Sequence, residues 1–198
     1  SPGEIETFKE EFKSKLETTR RYTEPEDTPP QVISWTNLGV QTPLLATLIE
    51  DPRIVSIAEQ IMGEDCIGIS CNSISYVNDT AWHADDYNFH MHDLKFLFYL
   101  QPVDGDSGAL RVIPGSHKKA FHKEIAKYDG LTGYDDAEKR LGTERIKEGP
   151  AYICDVEPGD GFIFDSHVWH ASCGGSTDRR TFSIVYSGNP KNAEEGRA

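Results

Sequence analysis

A histidine and an aspartate stand two residues apart in the stretch W-H-A-D-D at 82–86. In an extended strand, side chains at positions i and i+2 point to the same face, so His83 and Asp85 can reach one point in space. An imidazole and a carboxylate are two thirds of the facial ligand set of non-haem Fe(II) oxygenases. An H-x-D pair also occurs by chance and on protein surfaces, so a metal site needs a second histidine, which His167 or His170 could supply.

A basic residue follows His170 after nine positions. Arg179 opens the strand-like pattern T-F-S-I-V-Y at 181–186. Because a planar guanidinium matches a carboxylate bidentately, Arg179 could bind the far carboxylate of a dicarboxylic acid that chelates the metal. In the alternative interpretation, Asp178, Arg179 and Arg180 are turn residues that form surface ion pairs.

The composition argues against two classes of partner. The chain has 198 residues, enough for one domain with a substantial core, and its formal net charge is −13. Proteins that bind nucleic acid or anionic membrane surfaces carry basic patches, so this charge argues against both. No run of about 18 apolar residues is present to span a membrane.

The four cysteines do not form a zinc motif. Cys66, Cys71, Cys154 and Cys173 lack C-x-x-C spacing. An even number leaves disulfides open, but for a chain of this length we expect reduced thiols and a cytoplasmic protein.

Helical patterns occupy the beginning of the chain. The start S-P-G-E combines an N-capping Ser, a Pro at the first helical position and a Glu that completes a capping box, and apolar residues then recur at helical spacing to about Thr19. Two further helical pieces are predicted at 43–49 and 52–62, the second ended by Gly63. We expect residues 1–65 to be mostly helical support.

From residue 66 the apolar period changes to two, which is typical of strands. Short strands separated by Gly, Pro, Asp and Asn turns favour a β-sandwich or jelly roll over alternating βα units. We expect one domain, 1–198, with its jelly-roll strands in 66–117 and 151–188. The polar stretch 118–150 is predicted to be an insertion that covers the site as a lid, together with the loop at 23–30. Strands are predicted at 32–35, 67–71, 74–77, 83–85, 95–100, 109–113, 161–165 and 180–187.

Six sequence blocks together resemble the phytanoyl-CoA dioxygenase-like (PhyH) family of Fe(II)/2-oxoglutarate-dependent oxygenases. They follow the family's order and approximate spacing from about residue 43 to 188, and P-G-S-H is the most specific piece. The blocks are W-H-A-D at 82–85, K-F-L-F-Y-L at 95–100, S-G-A-L-R-V-I-P-G-S-H-K at 107–118, G-D-G-F-I-F-D at 159–165, V-W-H-A-S at 168–172 and R-R-T-F-S-I-V-Y at 179–186.

The resemblance implies a mainly β fold with flanking helices, a double-stranded β-helix (jelly roll, cupin-like), with iron in the barrel mouth. His83 and Asp85 match the first two iron ligands. His170 matches the third, because the family's distal histidine follows an aromatic residue and precedes a small residue and Ser. His167 would then be a neighbour of the ligands.

The resemblance also implies a cosubstrate site. Arg179 matches the residue that binds the 5-carboxylate of 2-oxoglutarate, and Ser172 and Tyr99 match positions that often contact the cosubstrate. His117 is interpreted as a turn-stabilising residue. His90 and His92 are either solvated loop residues or substrate contacts. No role is predicted for His122.

The implied activity uses Fe(II), 2-oxoglutarate and O2 to hydroxylate a small-molecule substrate, with release of succinate and CO2. Family members that halogenate have Gly or Ala in place of the carboxylate ligand, so Asp85 favours hydroxylation. Two alternatives stay open: a cupin-like metal enzyme that does not use 2-oxoglutarate, and a non-catalytic small-molecule-binding relative. Members usually carry a strand ahead of the first helix, so a short or partial member is expected.

Overall fold

Helices supply most of the first 63 residues, as the apolar spacing predicted. A computed structural model describes residues 1–23, 32–63, 65–77, 79–87, 89, 91–126, 129–130, 151–173 and 179–192. All but the first residue of the predicted covering loop at 23–30, and most of the predicted lid at 118–150, lie outside the described residues.

The predicted helix start is confirmed, because Ser1 Oγ accepts a hydrogen bond from the N–H of Glu4. The first helix extends to Thr23 rather than ending near Thr19. The piece predicted at 43–49 is a helix followed by a short 3₁₀ turn, Leu48–Glu50. The helices are α1 (Pro2–Thr23), α2 (Pro43–Thr47), α3 (Pro52–Met62) and α4 (Lys119–Ile125).

The described strands form two antiparallel sheets, which confirms the jelly-roll prediction. The larger sheet has the order β1-β2-β9-β4-β7 and the smaller the order β3-β8-β5-β6. In both sheets, strands that are not consecutive in the chain are hydrogen-bonded neighbours, so residues distant in sequence lie side by side. The strands are β1 (Val32–Thr36), β2 (Cys66–Tyr76), β3 (Thr80–His83), β4 (Asp93–Tyr99), β5 (Leu110–Val112), β6 (Tyr152–Cys154), β7 (Gly161–Asp165), β8 (His170–Ser172) and β9 (Arg179–Gly188).

Strand β7 has the predicted bounds, and its first residue has to be glycine. A Cβ at Gly161 would lie 2.8 Å from the carbonyl oxygen of Leu97 and 2.6 Å from the Phe98 ring, so a larger residue would separate β7 from β4.

The prediction of one strand over 83–85 is wrong, because β3 ends at His83. Strands β6 and β8, three residues each, were not predicted, since so short an alternation gives no clear period.

The two faces of the larger sheet have different neighbours. Phe96, Phe182 and Ile184 point outward into an apolar core that includes Phe12 and Leu16 of α1. The alternate residues of β4 and β9 point between the sheets, where an apolar cluster fills one end of the barrel and polar side chains line the rest. Among the described residues, no helix is long and apolar enough to cross a membrane. The four cysteines are free thiols.

Candidate metal centre

Two histidines face each other at the end of the smaller sheet. His83 is the last residue of β3 and His170 the first of β8, and the antiparallel register pairs them directly. Their ring centroids are 4.2 Å apart. Each Nδ1 lies close to the carbonyl oxygen two residues earlier, 2.7 Å from Ala81 O and 2.8 Å from Val168 O. Since a carbonyl only accepts, both Nδ1 atoms donate, and both Nε2 atoms keep a lone pair for a metal.

A turn, rather than strand alternation, brings Asp85 to these histidines. Its backbone N–H donates to the carbonyl oxygen of Ser166 at 2.9 Å, which holds the residue just beyond the end of β3. Asp85 Oδ1 then lies 3.8 Å from His83 Nε2, and Oδ2 lies 3.7 Å from His170 Nε2. The three side chains offer ligand atoms within 4.8 Å of one another.

The protonation states suit metal binding. Burial lowers the pKa of His170 to about 3, so this imidazole is neutral at physiological pH. Partial burial would raise the pKa of Asp85, but the charge of Lys95 and the neighbouring His170 and His83 outweigh it. The pKa of Asp85 therefore lies below its usual value, and the carboxylate is ionised. Two imidazoles and one carboxylate on one side of a point fit Fe(II).

His167 lies beside this group but is oriented away from it. The side chain is 3% exposed, and its Nδ1 is 2.7 Å from Asp165 Oδ1. Its Nε2 is 3.6 Å from Asp86 Oδ2, and Phe89 stacks on its ring at 4.2 Å. Of the two histidines left open by the residue pattern, the structure therefore brings His170 to His83 and Asp85.

A cavity of about 160 Å³ connects the histidine pair to Arg179. Arg179 is 3% exposed, so the interpretation of this residue as a surface turn residue is wrong. One guanidinium nitrogen donates to Ser172 Oγ at 2.7 Å and to the carbonyl oxygen of Gly108 at 2.9 Å. Burial lowers the pKa of Arg179, yet a guanidinium stays protonated in proteins. The cavity thus has a cation at the end away from the histidines.

Neutral phenols lie beside this cation. Burial raises the pKa of Tyr99 and that of Tyr76, and both rings line the cavity. The Tyr76 ring centre lies 5.4 Å from Cζ of Arg179. Thr181 and Ser183 of β9 line the same cavity. Ser172, Tyr99 and Arg179, the residues expected to contact 2-oxoglutarate, are therefore neighbours of one space.

Several residues around the site were not found by sequence reasoning. Lys95 Nζ contacts both carboxylate oxygens of Asp85, at 2.9 and 2.8 Å. His122 is buried and its Nδ1 accepts a hydrogen bond from the indole N–H of Trp169 at 3.0 Å. In the P-G-S-H block, Ser116 makes the structural contact: its Oγ accepts a hydrogen bond from the backbone N–H of Trp169 at 2.8 Å. The burial of Ser116 has no local sequence signal.

The sequence predicted the roles of the remaining histidines only in part. The side chain of His117 is exposed, and its turn-stabilising role stays a prediction. His92 is 57% exposed and its Nε2 is 2.9 Å from Asp165 Oδ2. Asp165 thereby joins His92 to His167. Burial would raise the pKa of Asp165, but the hydrogen bonds from His167 outweigh it and hold this pKa below the usual value. His90 lies outside the described residues.

The jelly roll and its group of two histidines and one carboxylate are those of a non-haem iron oxygenase. A sequence model of the family Phytanoyl-CoA dioxygenase (PhyH) matches residues 1–182. The chain belongs to this family of Fe(II)/2-oxoglutarate-dependent oxygenases.

Curated relatives match the chain more weakly. The uncharacterized proteins Rv1501 of Mycobacterium tuberculosis and Mb1539 of Mycobacterium bovis are each 25% identical over 143 residues, 66% of this chain. The chain spans 45% of the length of these relatives.

Solved structures share the fold. EctD from S. alaskensis, crystallised with 2-oxoglutarate and 5-hydroxyectoine, is 19% identical with a TM-score of 0.65 and covers 94% of this chain and 68% of its own. HygX from Streptomyces hygroscopicus, crystallised with nickel and 2-oxoglutarate, is 16% identical with a TM-score of 0.64 and covers 94% of this chain and 78% of its own.

Proposed function

We propose that this chain is an Fe(II)/2-oxoglutarate-dependent dioxygenase that hydroxylates a small-molecule substrate and releases succinate and CO2. The observation that supports this most is the cavity with two ends. At one end, His83, Asp85 and His170 offer three metal ligands, and at the other Arg179 offers a buried cation. A molecule that chelates a metal and carries a second carboxylate matches both ends.

The residues have separate roles in this proposal. His83, Asp85 and His170 would hold Fe(II) through two imidazoles and one carboxylate, the ligand set of non-haem iron oxygenases. When bound, the iron and 2-oxoglutarate supply the oxidising power for an unactivated C–H bond of the substrate. Arg179, fixed by Ser172 Oγ and Gly108 O, binds the 5-carboxylate through its guanidinium.

The surrounding side chains orient the cosubstrate and exclude water. Tyr99, with its raised pKa, stays a phenol, so it can donate a hydrogen bond to an anionic cosubstrate. Leu97 and Leu110 add apolar walls to the cavity. A low local dielectric strengthens the attraction between Arg179 and the carboxylate.

Asp85 supports hydroxylation over halogenation. A halogenating site needs a coordination position for halide, and here a carboxylate stands at that position with both oxygens directed toward the histidines. The expected product gains one oxygen atom even in buffers rich in chloride. Detection of a chlorinated product by mass spectrometry would contradict this assignment.

Two relatives of the fold support a small-molecule substrate. HygX was crystallised with hygromycin B, and EctD with 5-hydroxyectoine. The acidic net charge gives no support for a nucleic acid or for an anionic membrane surface as partner. We further infer a single oxygenase domain in a cytoplasmic protein.

The test is binding and turnover of 2-oxoglutarate. Anaerobic titration of the Fe(II)-loaded protein with 2-oxoglutarate should produce a charge-transfer absorption band, and addition of O2 should yield succinate. His83→Ala should abolish the band, and Arg179→Met should weaken 2-oxoglutarate binding by about 2–5 kcal/mol, because it leaves a buried carboxylate unpaired.

Arg180→Met is the matched control for Arg179. It removes the same charge from the adjacent, half-buried position on β9, whose side chain does not line the cavity. If both arginine variants bind 2-oxoglutarate equally well, the role of Arg179 is wrong. If the metal-loaded protein binds no 2-oxoglutarate, a cupin-like metal enzyme of another kind becomes the better account. If it binds no metal at all, a non-catalytic relative is indicated.

A further inference from the structure

Lys95 has no role in the proposed activity, yet its ammonium contacts both carboxylate oxygens of Asp85, one of the candidate metal ligands. Its Nζ lies 2.9 Å from Oδ1 and 2.8 Å from Oδ2 of Asp85, so the ammonium is centred on the fork of the carboxylate. The two histidine Nε2 atoms are farther from the same oxygens, at 3.7 and 3.8 Å. The lysine side chain is only 16% exposed.

The position of Lys95 is built into the larger sheet. Strand β4 lies between β7 and β9, and Lys95 pairs with Phe164 on one side and Val185 on the other. Its side chain points between the sheets, and the Nζ lies 5.9 Å from the centre of the Phe164 ring. The Phe164 ring in turn packs against His170, with centroids 5.1 Å apart. The ammonium is therefore held against Asp85 by ordered neighbours.

Hydrogen-bond partners of metal ligands usually strengthen metal binding, because they orient the ligand and raise its basicity. Lys95 differs in two respects. It carries a positive charge, which repels a divalent cation bound to the same carboxylate. It also contacts both oxygens, so a metal must share or displace a contact that neutralises a partly buried charge.

We propose that Lys95 is a positioning residue that competes with the divalent metal for Asp85 and thereby makes metal binding depend on 2-oxoglutarate. This inference rests on the proposed function. In the metal-free protein, the ammonium takes the place of the metal charge and keeps Asp85 oriented toward the histidines. In the metal-loaded protein, it adds a positive charge at the end of the cavity where a chelating carboxylate binds.

The competition has opposite consequences for the two ligands. Lys95 weakens the binding of the metal alone, because both are cations. It strengthens the binding of 2-oxoglutarate to the metal-loaded protein, because the cosubstrate is a dianion. Since coupling between two ligands is reciprocal, 2-oxoglutarate must raise metal affinity more when Lys95 is present than when it is absent. A residue with a merely structural role would weaken both ligands on removal.

The experiment measures Mn²⁺ affinity by calorimetry, with and without 2-oxoglutarate, on the full chain. Lys95→Met should bind Mn²⁺ about tenfold more tightly or better in the absence of 2-oxoglutarate, because a like charge near the site is removed. The Mn²⁺-loaded variant should bind 2-oxoglutarate about tenfold more weakly or worse. The metal-free variant should melt at a lower temperature, since Asp85 loses its partner.

Three further variants separate charge from shape. Lys95→Gln keeps a hydrogen-bond donor without the charge and should behave like Lys95→Met, whereas Lys95→Arg keeps the charge and should behave like the wild type. Lys13→Met removes one exposed lysine from α1 and should leave both affinities unchanged.

Unchanged or weaker Mn²⁺ binding in folded Lys95→Met and Lys95→Gln, judged by near-UV circular dichroism, overturns the role of Lys95 and leaves the proposed function intact. Should Lys95→Met fail to fold, Lys95→Gln and Lys95→Arg decide. A wild-type chain that binds neither Mn²⁺ nor Fe²⁺ overturns the proposed function and this inference together.

Discussion

The two faces of the larger sheet differ in what they contribute, although the same strands supply both. On β4, Phe96 points to the helices and is 1% exposed, while its neighbour Lys95 points to Asp85. On β9, Phe182 joins the helical core, while Thr181 lines the cavity. Period-two alternation thus separates stability from binding residue by residue. A substitution on one face should change one property and largely spare the other.

The outward face should dominate stability. Phe96→Ala removes a ring that packs edge-on against Tyr186, with centroids 5.5 Å apart, and leaves a cavity in the helical core. We expect a loss of about 3–5 kcal/mol in the free energy of unfolding, measured by urea denaturation. The fraction that remains folded should bind Mn²⁺ as the wild type does. Loss of metal affinity at full folding would show that the two faces are coupled.

The same comparison holds for two adjacent residues at the start of β8. Trp169 is fully buried away from the site, and His170 faces it. Trp169→Phe deletes the indole N–H that lies 3.0 Å from His122 Nδ1, and this buried nitrogen keeps only the carbonyl oxygen of His167, 3.1 Å away. We expect this change to cost about 1–3 kcal/mol of stability with metal affinity retained. A variant of native stability would indicate that this hydrogen bond contributes little.

The site itself should make stability depend on pH. The pKa of His170 is about 3 in the folded chain, below its ordinary value of 6.5. Between pH 3 and pH 6.5, the unfolded chain therefore binds a proton on this imidazole that the folded chain does not. Stability is therefore complete above pH 6.5 and falls as the pH is lowered toward 3, by at most about 1.4 kcal/mol per pH unit.

Urea unfolding of the metal-free protein between pH 7 and about 4.5, above the ordinary range of Asp, checks this slope. His170→Gln should flatten it, and the exposed His117→Gln should not. An equal slope in the wild type and in His170→Gln would rule out His170 as its source.

Local residue patterns were sufficient for most of the elements. The capping residues of α1 and α3, the period-two strands β4 and β9, and the turn before β7 were predicted because each depends on neighbours within a few positions. The types of the candidate ligands were also readable, since His83, Asp85 and Arg179 lie in recognisable blocks. Their assignment as ligands and cosubstrate contacts stays a prediction.

The errors arose where contacts are long-range. Asp85 was placed on a strand, but β3 ends at His83, and the carboxylate reaches the histidines because its N–H bonds Ser166 O. Nothing near Asp85 in the sequence encodes that partner. His122 and Ser116 were likewise missed or underrated, because their buried contacts to Trp169 cross between distant segments.

The sequence by itself determined the alternation of apolar and polar side chains, and so which residues of β4 and β9 could enter a site. The family resemblance pointed to His170, but the residue pattern left His167 open, and only the tertiary structure shows that His170 meets His83. Only the tertiary structure, too, shows that Lys95 contacts Asp85. The physical reason is that periodicity follows from the geometry of one strand, whereas convergence depends on which strands pair and in what register.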